Sequence, residues 1–289
     1  MLLPPSPGHD RILLVGDVVG KPGTRFTCEI ASKLKQKLHL SALIVNAENS
    51  ADGSGLTLKD YQRLIDAGVD MITMGDHIYR KREILDVLQK KSNIVRPANF
   101  PPSSIGKYWQ AVELPGGNRL YVVSLIGRVF MKPVDCPFHA AERVLKEIEQ
   151  HEASIASQAR DLPTASQRFV VIDFHAEATS DKQLLGRLLD GRVTAVLGTH
   201  THVATADEQI LPKGTAFQCD VGMTGPFESI LGRKIDAVLE ATLTLNPVSF
   251  PVASQDVRLS ATWVDACRST GLAVAVGRIM VREDDTEFS

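Results

Sequence analysis

Val196-Leu197-Gly198-Thr199-His200-Thr201-His202 is an apolar run that stops at a glycine and then presents two histidines. In an extended chain successive side chains alternate faces, so His200 and His202 are expected to point the same way, into one site at the strand's end. That arrangement suits a metal ion. Two hydrogen-bonded histidines closing an ordinary strand would look the same, and H-x-H alone does not separate the readings. Working outward, four other apolar runs finish comparably: in Asp17, in Asn46-Ala47-Glu48-Asn49, in Asp76-His77, and in Asp173-Phe174-His175. Five separate strand ends carrying carboxylate, amide and imidazole are hard to explain as packing.

The chain has 289 residues, 44% hydrophobic and 23% charged, the composition of a globular protein with a substantial core. Lys plus Arg 32 against Asp plus Glu 34 gives a net charge of -2. No global field therefore favours nucleic acid or an anionic membrane, and any anionic substrate must be held locally. No run approaches the ~18 apolar residues of a membrane span. Residues 1–10 read as a flexible N-terminal extension without an export signal. Cys28, Cys136, Cys219 and Cys267 are scattered with no C-x-x-C, which points to a reduced, cytoplasmic protein with neither disulfides nor a zinc knuckle.

The first buried strand, Arg11 to Val15, delivers Asp17 to a glycine-rich turn. Gly16-x-x-x-Gly20-Lys21-Pro22 is one residue short of a phosphate loop and has Pro22 where that loop needs Ser or Thr. Acidic residues at the carboxyl ends of central strands sit where open α/β sheets place their ligands. A helix is expected over about Arg25–Leu38, a strand over Ala42–Val45, and a helix from Thr57, capped through Asp60, to Ala67. A strand over Val69–Met74 follows, then a hairpin of Ala111–Leu114 with Leu120–Leu125 and a helix over Phe138 to about Gln158. His139 and His151 on that helix are expected at solvated surface. Arg160 to Gln167 reads as a polar connector, and Phe169–Ile172 as the strand carrying His175. Strands are expected at Gln209–Leu211, Thr215–Gln218, Ala241–Leu245, Val257–Val264 and Leu272–Val281, with a helix over roughly Ser229–Leu239. Neither a repeat nor a domain-sized linker interrupts the chain, so residues 1–289 are expected to form one domain.

In their order, G-D at the first strand, N-A-E-N at the second, G-D-H at the third and G-T-H-T-H near the end make the chain resemble the calcineurin-like metallophosphoesterases. More narrowly, it resembles the YmdB family of bacterial phosphodiesterases. The longer blocks include Gly16 to Gly23, Ile94-Val95-Arg96-Pro97-Ala98-Asn99, Gly127 to Met131 with Asp135-Cys136-Pro137-Phe138, Asp173 to Ser180, and Asp220 to Pro226. The resemblance implies a four-layer α/β sandwich of two sheets flanked by helices. It also implies two divalent transition-metal ions, iron or manganese with zinc as a further candidate. The first would be held by Asp17, Glu48, Asn49 and His202, the second by Glu48, Asp76, His175 and His200, with Glu48 bridging. His77 matches the family's proton donor. The family usually has Asn where this chain has Asp76, which alters the charge balance of the site.

Two ions ~3.5–4 Å apart can share a water, lower its pKa, and stabilise the attacking and leaving oxygens of an in-line displacement at phosphorus. Ligands of carboxylate, imidazole and amide type, without thiolate, suit iron, manganese or zinc. The implied partner is a cyclic nucleotide or related phosphodiester, with a 2′,3′-cyclic nucleotide in view; a homo-oligomer is compatible with the sequence. A second hypothesis is a low-turnover regulatory protein that keeps the metal site and binds nucleotide or a protein partner, and Asp76 is the feature that sustains it. Glu177, two residues past His175, is either a supporter of a metal-binding side chain or an ordinary turn carboxylate.

Overall fold

The run ending in Val15 is the last part of β1 (His9–Val15), whose residues alternate between two hydrophobic layers as period-two geometry requires. A computed structural model of the protein describes residues 2–115, 117–158 and 168–285. From the N-terminus, β1 is followed by β2 (Asp17–Val18), α1 (Gly20–Lys37), β3 (Leu40–Asn46), α2 (Leu58–Asp66), β4 (Met71–Thr73), α3 (Ile84–Lys90) and β5 (Ile94–Val95). The middle of the chain adds β6 (Trp109–Glu113), β7 (Arg119–Ile126), α4 (Pro137–Gln158), β8 (Arg168–His175), α5 (Thr179–Leu188) and β9 (Ala195–Thr199). The remainder is β10 (Gln209–Ile210), β11 (Ala216–Gln218), β12 (Met223–Pro226), α6 (Ile235–Thr244), β13 (Val257–Cys267) and β14 (Ala273–Arg282).

These strands form two sheets. One has the order β2-β12-β13-β1-β3-β4-β5, with β14 beside β13; the other runs β10-β11-β9-β8-β7-β6. Within the first, β1, β3, β4 and β5 are mutually parallel; within the second, β7, β8, β9 and β11 are. Alternate residues of each central strand serve different layers. Leu13, Val15, Leu43 and Val45 pack outward against Phe26, Ile30 and Leu34 of α1. Val170 and Ile172 pack outward against Val144, Leu145 and Ile148 of α4. The other set, Ile12, Leu14, Ala42 and Ile44, meets Val122, Phe169, Val171, Ala195 and Leu197 between the sheets. The result is a four-layer α/β sandwich.

At its carboxyl end the inter-sheet layer changes character. The same alternation that places Ile44, Met71, Val122, Val171 and Leu197 in the core continues into Asn46, Thr73, Ser124, Asp173 and Thr199, all buried. Buried polar groups need partners. They find them in each other and in the loops beyond.

Several expectations change. Helix α1 begins at Gly20, about five residues early, because Pro22 lies in its first turn, where the missing N–H has no helical acceptor to lose. Residues 229–234 are not helical, since Ile230 and Arg233 form an isolated bridge, and of the Ala241–Leu245 stretch expected as a strand α6 takes in Ala241 to Thr244, with Leu245 its left-handed cap. None of α6 is buried; alternation specifies a strand only where a sheet face exists to bury it. His151 is half-buried rather than solvated, edge-on to Trp109 and Tyr121, with Nδ1 2.9 Å from the Tyr121 hydroxyl. The Arg160–Gln167 connector lies outside the described residues. Thr57 caps α2 as expected, accepting from Asp60 N–H at 3.0 Å. No helix among the described residues is long and apolar enough to cross a membrane.

Candidate metal centre

The polar end of the inter-sheet layer gathers the strand-end residues. Asp17 follows β1, Glu48 and Asn49 follow β3, Asp76 and His77 follow β4, His175 closes β8, and His200 and His202 follow β9. Asp17, Glu48 and His175 are fully buried, Asn49 nearly so. His175 Nε2 lies 3.2 Å from Glu48 Oε1, 3.3 Å from Asp76 Oδ1 and 3.0 Å from His200 Nδ1. Glu48, Asp76 and His77 form a second such group, and Asp17, Glu48 and His175 a third, each with ligating atoms within 4.8 Å of one another. A Cβ at Gly75 would sit 2.3 Å from Glu48 Oε2 and 2.4 Å from His175, so only glycine lets the chain pass against these groups.

The two histidines of the H-x-H do not share an extended segment. His200 and His202 both have positive φ, 100° and 66°, strained values for residues with side chains. Tertiary bonds hold this turn. Asp17 Oδ2 accepts from His200 N–H at 3.0 Å, and Asp220 Oδ2 accepts from Thr201 N–H at 3.0 Å while paired with buried Lys182 at 2.7 Å. Both rings still face the cluster. His202 Nδ1 lies 3.1 Å from the Leu231 carbonyl, the geometry of a donor there, which leaves Nε2 toward Asn49 and toward Asp17 Oδ1 at 3.9 Å. His200 Nε2 lies 3.3 Å from Glu177 Oε2, so Glu177 does stand behind a cluster histidine.

Beneath His175 is a relay that spacing alone does not announce. Asp173 is fully buried and accepts from Asn46 Nδ2 at 2.9 Å, from the Thr73 hydroxyl, and from Thr199 Oγ1 at 2.6 Å. Because the Thr199 proton is committed to Asp173, Thr199 Oγ1 accepts from His175 Nδ1–H at 2.9 Å. Nε2 is then the atom turned to the cluster. The available signal is that Asp173 precedes His175 by two residues on a strand and so must share its face.

Electrostatics describe a site built for positive charge. Burial pushes the Asp17 carboxyl up to about 6, against the pull of His175 and His202. Burial opposes charge on His175 too, but the Glu48 carboxylate and Asp76 outweigh it and hold its pKa well above the ordinary value. Burial likewise opposes ionised Glu48, yet His175 and His77 keep it well below the usual carboxylate range. Burial and the adjacent His175 press His200 down to about 4. Asp76 Oδ1 is buried, and its 3.3 Å approach to His175 Nε2 does not have hydrogen-bond geometry. An orphaned carboxylate oxygen among oxygen and imidazole donors fits a hard or borderline divalent cation. Asn49 presents its NH2 to Glu48 Oε1 at 3.2 Å and its oxygen to His77 Nδ1 at 2.7 Å, so donating that oxygen to a cation takes a half-turn of the amide.

Comparison with known proteins adds a family. A family model described as YmdB-like protein matches residues 13–279. Over 278 residues the chain is 45% identical to a 2′,3′-cyclic-nucleotide 2′-phosphodiesterase of Bacillus subtilis (strain 168), covering 96% of this chain and 99% of that one. Among solved structures, a phosphatase from Mycoplasma pneumoniae superposes with a TM-score of 0.83 at 31% identity, covering 97% of this chain and 96% of that chain. A hypothetical protein from Thermus thermophilus gives the same TM-score at 38% identity, over 94% and 99% of the two chains.

Proposed function

This chain belongs to the YmdB-like family of phosphodiester hydrolases, and from that premise we propose that it opens 2′,3′-cyclic nucleotides or closely related phosphodiesters, with residues 1–289 acting as one domain. The observation that carries the proposal is the convergence of carboxylate and imidazole groups from both sheets around an orphaned, buried Asp76 oxygen. Asp17, Glu48, Asn49 and His202 would hold one divalent ion and Glu48, Asp76, His175 and His200 a second, iron or manganese in preference to zinc. Two such ions supply Lewis-acid stabilisation at the phosphoryl oxygens and a water of near-neutral pKa.

The protein's own groups do the rest. Opening the cyclic diester forms one P–O bond to water oxygen, breaks one P–O bond to the ribose, and leaves an alkoxide that needs a proton. His77 would give it. Its Nδ1 is engaged with Asn49, its Nε2 lies 3.7 Å from Asp76 Oδ2, and its backbone N–H is fixed on Glu48 Oε2 at 3.1 Å. In the metal-free chain burial disfavours the His77 imidazolium, but Glu48 and Asp76 more than offset it and raise its pKa.

The test is metal analysis of purified protein together with turnover of bis-p-nitrophenyl phosphate and a panel of cyclic nucleotides. We expect close to two transition-metal ions per chain, loss of activity on chelation and recovery with manganese. Full activity in stripped protein would sink the metal mechanism. A metal-loaded protein that turns over neither substrate class would favour the regulatory reading.

A further inference from the structure

Beside the cluster lies a groove of about 400 Å³, and Asp76 lines it. One wall carries Tyr79, Arg80, Phe100 and Ser104, from the loops after β4 and β5; the other carries Lys132 and Val134, from the loop after β7. Buried Asn99 fastens the two walls together. Its Nδ2 donates to the carbonyls of Ile126 at 2.8 Å and Asp135 at 3.0 Å, and its Oδ1 accepts from Ile126 N–H at 3.0 Å. The Tyr79 hydroxyl commits its proton to the Ile105 carbonyl at 2.7 Å, which fixes the ring beside the groove. That ring and Phe100 are 6.0 Å apart, centroid to centroid, and tilted by 44°.

We propose that this groove seats the nucleoside of the substrate, the base stacking on Tyr79 and Phe100 while the phosphodiester lies at the cluster; the proposal rests on the phosphodiesterase reading above. A phosphodiester group alone leaves the groove unused, whereas its volume falls within the roughly 300–1,000 Å³ of small-molecule sites. Asp76 joins the two places, so a ligand that reaches the cluster through its phosphate extends directly into the groove. Arg80 and Lys132 add positive charge that draws an anionic ligand inward. Aromatic walls meet the face that every base shares and do not read base edges. The four 2′,3′-cyclic nucleotides are therefore handled alike, within about tenfold, the modest preference that stacking gives.

The experiment compares kcat/KM for 2′,3′-cyclic nucleotides with that for ethylene phosphate, the same five-membered cyclic diester without sugar or base. Metal-loaded wild type is compared with Phe100→Ala, which removes a wall, and Ser104→Trp, which fills the space. Wild type should favour the nucleotides, and each variant should lower that preference by about tenfold or more, chiefly through KM, the scale of base–aromatic stacking. Melting curves identify a variant that fails to fold, and the other then decides. A preference unchanged in a folded variant, or a wild type that treats both substrates equally, overturns the groove and leaves the phosphodiesterase intact. Turnover of neither substrate by metal-loaded protein overturns both.

Discussion

Replacing Thr199 with Val keeps the shape of a buried strand residue and deletes one hydroxyl. That hydroxyl donates to Asp173 Oδ1 at 2.6 Å and accepts from His175 Nδ1 at 2.9 Å, so both lose a partner at once, while Asn46 Nδ2 loses only a long 3.4 Å contact and keeps Asp173. Asp173 retains Asn46 and Thr73, whereas His175 Nδ1–H is left with only Asp17 Oδ1 at 3.8 Å, beyond hydrogen-bond reach. Each buried group left unpaired costs roughly 1–3 kcal/mol, and with some local relaxation we expect a loss of about 3 kcal/mol. In a chain of this size that lowers Tm by about 6–12 °C. The ring of His175 also loses its orientation, and groups standing behind a metal-binding side chain typically govern 10–100-fold of metal affinity, so the dissociation constant should rise by about that factor. Calorimetric melting and a chelator-competition titration read the two effects independently of turnover. Thr199→Ser, which restores the hydroxyl, should recover most of both. If Thr199→Val melts within about 2 °C of wild type and binds metal equally well, the relay is not what orients His175.

Other consequences follow from the same geometry. His77→Ala should keep its metal while kcat falls by about 10²-fold for alkoxide leaving groups and by much less for p-nitrophenolate, which needs little protonation; equal losses would assign His77 to phosphate binding. Asp76→Asn removes a negative charge beside His175 and His200, so it should retain metal less well on dialysis and, once reloaded, show a lower KM for a phosphodiester anion; unchanged retention together with an equal or higher KM would refute the charge argument. Burial tends to raise the Asp10 pKa, but hydrogen bonds from Arg268 and Ser41 hold it below the ordinary value. A depressed folded-state pKa contributes stability above the unfolded value of about 3.9 and loses it as pH falls through the folded one. Arg268→Met should therefore lower Tm at pH 7, with the difference closing below about pH 4 as Asp10 takes up a proton; a constant offset across that range would exclude the pair as its source.

The sequence by itself determines the layers and the type of chemistry. Apolar runs such as Ile12 to Val15 and Phe169 to Ile172 are legible as buried parallel strands because every residue faces one hydrophobic layer or another. The polar residues at their ends are legible because metal chemistry draws on few side-chain types. What the linear chain leaves open is which ends meet and at what angle. His200 and Asp17, 183 residues apart, are joined only because two separate sheets pack face to face. The positive-φ turn at His200 and His202 is held by Asp17, Asp220 and Lys182 rather than by local preference, so a period-two pattern does not foresee it. The Asp173–Thr199–His175 relay and the Asn99 staple likewise depend on neighbours from other strands. Helix α6 marks the opposite limit: with no sheet face to bury against, the alternation of Ala241 to Leu245 carries no strand information, and the backbone coils.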